Sequence, residues 1–112
     1  MNILTSEQIE EYRLLSPLFH SLLKEVKELS KKKNDEIINE FKANTINKIL
    51  IRIKDLLKEE PTFEFIESID VNRLPSNSDV VMIMVQFEAA LEKFYLKYTQ
   101  YDTRTRSRVW SK

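Results

Sequence analysis

The chain has 112 residues, 42% hydrophobic and 32% charged, with 18 basic and 18 acidic side chains and a formal net charge of zero. That is the size and mix of one globular domain able to fold without metal or disulfide staples, and its neutrality argues against the whole domain acting as an electrostatic trap for nucleic acid. Cysteine is absent, which excludes disulfides, zinc–thiolate sites and cysteine nucleophiles.

Glycine is absent too, where average usage of ~7% would supply about eight. Without it the backbone has no easy access to positive φ. The GxxxxGK[ST] phosphate loop, the GxGxxG turn and the GxSxG elbow cannot form in their usual versions, and Asn-Gly hairpins are missing. Helices joined by short polar or proline-containing links are the expectation.

Thr5 and Gln8 form a capping-box pattern at the start of a first helix, with Glu7, Glu10 and Glu11 at the positive end of its dipole. Ser16-Pro17 then reads as the cap and first position of a second helix, or as a kink in a single one. Leu18, Leu22, Val26 and Leu29 give that segment an apolar stripe, with Phe19 and Leu23 beside it. Lys31–Lys33 suit its negative pole.

Asn34 caps the expected longest helix, which Pro61 stops. Ile38, Phe41, Thr45, Ile49, Ile53 and Leu56 form one apolar row, widened by Ile46, Leu50 and Leu57. The segment "PTFEFIESIDVNRLP" is read as a short helix over about 62–69, since no second strand is evident to pair with, followed by a loop. Asn77 or Ser78 caps the last helix, whose residues Val80, Met84, Phe87, Leu91, Phe94, Tyr98 and Tyr101 make a heptad-like seam. After Asp102 the periodicity ends, and "TRTRSRVWSK" is expected to be a flexible tail.

The expected fold is therefore all-α: a single-domain bundle of four to five helices over residues 1–102, with a flexible Arg-rich tail at 103–112. Charge is uneven along it. Residues 1–60 hold 11 basic and 11 acidic side chains, 61–102 hold 3 and 7, and 103–112 hold 4 and none. The N-terminus "MNILTSEQIEEYR" has neither a basic region nor a long apolar core, and the longest apolar run, Val80–Val85, is far short of the ~20 residues of a membrane span. A cytoplasmic protein without membrane contact is the expectation.

Few residues suggest chemistry. Glu88 and Glu92 share a helix face, as do Glu36 and Glu40, a spacing that also describes an ordinary solvated surface. His20 is the only histidine and has no nucleophile or metal ligand at a recognisable spacing. With Arg13 it forms R-x6-H, "RLLSPLFH", which resembles the R-x4-6-H motif of HEPN-domain ribonucleases. The resemblance implies an all-helical dimer in which Arg13 and His20 bind and activate RNA for metal-independent cleavage. It covers eight residues, and here leucine follows the arginine and proline interrupts the spacing.

Two features point to association instead. Val81, Met82 and Val85 look away from the seam of the last helix and need either another helix or another molecule to cover them. In the tail Arg104, Arg106 and Arg108 alternate with hydroxyl residues and lead to Trp110, a combination used at protein hot spots and on nucleic acids. The leading expectation is a non-catalytic helical interaction module, a small adaptor or regulatory subunit that self-associates through the apolar start of its last helix. The "DVNRLPSNSD" loop adjoins that surface, and the tail could serve as an arm. A protein partner or a second copy is expected, with no cofactor and no metal. A nucleic-acid-associated regulator using the Arg tail, and the HEPN-like ribonuclease, are the alternatives.

Overall fold

A computed structural model describes residues 4–111; the first three residues of the expected domain and the last of the expected tail lie outside it. The described residues form three α-helices, α1 (Ser6–Lys32), α2 (Glu40–Leu56) and α3 (Asn77–Tyr98), with a single 3₁₀ turn at Pro61–Phe65. An antiparallel hairpin follows, β1 (Thr99–Asp102) and β2 (Ser107–Trp110). This corrects the all-α bundle of four to five helices in three places.

First, α1 is one helix through Pro17. Its apolar face runs uninterrupted through Leu15, Phe19, Leu23 and Val26, all buried, so packing on both sides of the proline outweighs the one backbone bond it cannot donate. The Thr5–Gln8 capping box forms as read, each residue's side chain bonding the other's backbone N–H. Second, the 62–69 segment is only a 3₁₀ turn followed by extended chain. Asn47, buried in α2, holds that chain: its Oδ1 accepts from the Ile69 N–H at 2.8 Å and its Nδ2 donates to the Ile69 carbonyl at 2.7 Å. An amide side chain thus supplies both bonds that a neighbouring strand would otherwise provide.

Third, the tail is folded. β1 and β2 pair in register from Thr99↔Trp110 to Asp102↔Ser107. Without glycine, the turn is closed by Asp102 Oδ1 accepting from the Arg104 N–H at 2.9 Å and by Arg106 at φ 56°, a left-handed conformation that costs a non-glycine residue about 1 kcal/mol.

Helix starts also move. α2 is capped by Asn39 rather than Asn34, and α3 by Ser76 rather than Asn77 or Ser78. The chain between α1 and α2 is drawn onto the start of α3 instead. Ile38 donates to Pro75, Asn77 to Glu36 and Ser78 to Asn34 through their backbones, at 2.9–3.0 Å. Ile38 is buried there, as an anchor outside the helix whose apolar row it was expected to join.

The core is one cluster. α1 packs closely on both α2 and α3. The expected α3 seam is buried from Val80 to Tyr98; Tyr101 is exposed because the helix ends at Tyr98 and the chain turns into β1.

Candidate functional site

The expected interface residues divide into separate places. Val81 and Val85 are half-buried, and Met82 is 65% exposed. Val81 lies in a cleft of ≈ 690 Å³ between α1 and α3, beside Leu23, Lys24, Lys27 and Glu88. It is partly covered by the chain itself and packs on the core.

Met82 is not covered. On the α-helical period it shares the outward face of α3 with Val85, Ala89 and Leu96, at spacings of three, four and seven residues. Ala89 is exposed and Leu96 is 48% exposed. In the sequence only its start is visible, inside the run Val80–Val85. Glu88 and Glu92 flank it on one edge, Gln86 and Lys93 on the other.

The tail residues lie at the other end of α3, about 24 Å along the axis from Met82 to Tyr98 at 1.5 Å per residue. Arg108 is engaged internally. Its Nε donates to Thr99 Oγ1 at 2.8 Å and its Nη2 to the Thr99 carbonyl at 2.8 Å and that of Leu96 at 3.4 Å. A cation is thereby fixed on the carbonyl end of α3, where the helix dipole favours it. Trp110 packs edge-on against Tyr12 and Tyr95, with ring centroids 5.1 and 5.6 Å away. Of the described tail arginines, Arg104 and Arg106 remain exposed, at the hairpin turn, and Arg104 lies 3.7 Å from Asp102. The structure therefore does not gather the tail and the start of α3 into one surface.

Arg13 and His20 lie on one exposed side of α1, two turns apart. Arg13 pairs with Glu10 at 3.0 Å, and His20 Nδ1 sits 2.7 Å from the Ser16 carbonyl within its own helix. Glu60 is the most buried acid among the ion pairs of the described residues: it accepts from Tyr98 Oη at 2.8 Å and Lys97 Nζ at 3.1 Å, tying the end of the α2 segment to the end of α3. Burial and the Glu60 bond push the Tyr98 hydroxyl above its usual pKa, and the same carboxylate raises that of Lys97. Among the described residues no three His, Asp or Glu side chains converge on a point that could hold a metal ion, and no helix is long and apolar enough to cross a membrane.

A second apolar surface went unnoticed in the sequence. Between the last half of α1 and the first half of α2 runs a groove of ≈ 400 Å³. Its floor is Val26 and Ile46, its walls Leu22, Leu29 and Phe41. Phe41 is 76% exposed. Leu14 and Leu18 continue the same flank of α1 toward a fork in which Arg52 Nε and Nη2 bind the Glu11 carboxylate across the two helices. Phe41 belongs by spacing to the expected core row, but the buried positions of α2 are Ala43, Ile46, Asn47, Leu50, Ile53 and Leu56, which turn Phe41 outward.

Compared with protein-family models, curated proteins and solved structures, the chain matches none of them.

Proposed function

We propose that this is a non-catalytic helical interaction module that self-associates through the outward face of α3. The observation that carries the reading is the outward stripe of exposed Met82, Ala89 and Leu96 with half-buried Val85, on a helix whose opposite face is fully committed to the core. Methionine suits such a surface because its side chain adapts to a partner's shape. Ala89 near the middle of the stripe allows close approach of another helix.

Sedimentation velocity over a wide concentration range tests this. The wild-type chain should sediment faster as concentration rises, and the double substitution Met82→Glu, Leu96→Glu should hold it at the monomer value. Because both side chains are exposed, the double variant should keep its helical circular dichroism. A wild-type chain that stays monomeric at millimolar concentration refutes the reading.

A further inference from the structure

We propose that the outward face of α3 on one copy docks into the α1–α2 groove of a second copy, so that the chain assembles head to tail. This rests on the reading of α3 as a self-association surface and identifies what that surface meets. Three observations carry it.

The first is length. The lined groove runs along α1 from Leu22 to Lys32, about 15 Å, and the exposed Leu18 and Leu14 extend its flank to about 27 Å, against about 21 Å for the stripe from Met82 to Leu96, at 1.5 Å per helical residue. An apolar helix face laid between two antiparallel helices is an established mode of recognition, with anchors spaced as Met82, Val85, Ala89 and Leu96 are.

The second is charge. The α1 lip of the groove carries Glu25 and Glu28, with Lys32 at its far end, while α2 contributes Lys42 to the lining and Lys48 further along. The α3 stripe has Glu88 and Glu92 on one edge and Lys93 on the other. Of the two directions in which a helix can lie in the groove, one sets Lys93 toward Glu25 and Glu28 and the two glutamates toward Lys42 and Lys48. The other sets like against like. Complementary edges thus fix the direction of docking.

The third is that the groove needs a cover of its own. A symmetric α3–α3 pair would leave Phe41 as exposed as it is in the single chain, whereas head-to-tail docking covers Phe41 and Met82 in the same contact. The two surfaces lie on opposite flanks of α1. Leu22 and Leu29 face the groove, while Tyr12 and Leu23 face α3: Tyr12 stacks on Phe94 and Tyr95, and Leu23 shares the second cleft with Val81. One copy cannot fill its own groove. Two such different surfaces make a heterologous contact, which propagates into a chain or closes into a ring.

The test uses two variants of the full chain, Phe41→Asp to spoil the groove and Met82→Glu to spoil the stripe. Each should weaken association about thirtyfold or more, as a charge placed on an apolar anchor of the contact does. Wild-type protein should grow past a dimer with concentration. Each variant alone should be monomeric, and an equimolar mixture should give a 1:1 heterodimer that grows no further, since each variant retains the surface the other lacks. If Met82→Glu is monomeric but Phe41→Asp associates like the wild type, α3 still mediates self-association and the groove assignment falls. A mixture without heterodimer also overturns the docking. Wild-type protein that never associates removes both this inference and the reading beneath it.

Discussion

Trp110→Ala separates a folded hairpin from a free arm. In the structure the indole is half-buried against Tyr12, Phe94 and Tyr95. A tryptophan buries 150–250 Å² when enclosed, so roughly 100 Å² is removed from water here. At ~25 cal/mol per Å² that is about 2.5 kcal/mol. Edge-on aromatic contacts add about 0.5 kcal/mol or more, while losing the ordered indole returns about 1 kcal/mol of side-chain entropy. The expected loss is about 2 kcal/mol, or a Tm lower by about 10 °C for a domain of this size. Urea denaturation followed by circular dichroism measures it, and Trp110→Phe should lose roughly half as much. In the wild type the single tryptophan reports directly, its emission shifting to the red in the same transition that unfolds the helices. A Trp110→Ala chain within about 0.5 kcal/mol of wild type would mean that the indole does not hold the hairpin to the domain, and the flexible-tail expectation would stand after all.

Asn47→Ala should be more damaging than its modest side chain suggests. It strips both partners from the Ile69 backbone, a residue only 3% exposed, and each orphaned group costs about 1–3 kcal/mol, for a loss of about 3 kcal/mol in urea denaturation; a loss under about 1 kcal/mol would show that the pair is replaced at little cost. The Glu60 cluster predicts an alkaline limit. Tyr98 and Lys97 both have folded pKa values above their ordinary 10.0 and 10.5, so the folded state binds their protons more tightly than the unfolded chain does. Their contribution is complete at neutral pH and is lost as pH rises through those raised values. Stability measured from pH 8 to 11 should therefore fall at the upper end, and Glu60→Gln should start lower and fall less steeply.

The helices were legible where one face is committed to one core. The α3 seam from Val80 to Tyr98 is buried as its spacing requires, because nothing but the helical period and burial decides it. In α1 the spacing selected Leu18 and Leu22, yet Phe19 and Leu23, one residue along, are the buried pair. With leucines on both flanks, the period marks a helix but does not choose the face that meets a neighbour. The caps at Asn39 and Ser76 were hidden for a different reason. Asn34 and Asn77 are equally good local capping residues, and the contact between residues 33–39 and the start of α3 engages them elsewhere. A link between segments some forty residues apart leaves no trace in a local pattern.

The hairpin was read as disordered by the same reasoning that worked for the helices. Two strands of four residues are too short for a convincing alternation, and an isolated hairpin is marginal in water. Arg108 and Trp110 lie two residues apart, so they project from one side of β2. One reaches the carbonyl end of α3 and the other the aromatic side chains of α1 and α3. That alternation was visible in the sequence, where it suggested a surface offered to a partner. The partner of β2 is the domain itself. With arginine and tryptophan engaged there, the proposed association rests on exposed apolar side chains elsewhere, Met82 and Leu96 on α3 and Phe41 beside the groove. In the proposed docking, the exposed phenylalanine of one copy meets the methionine stripe of another, two different patches that make a heterologous contact, and their charged edges set its direction.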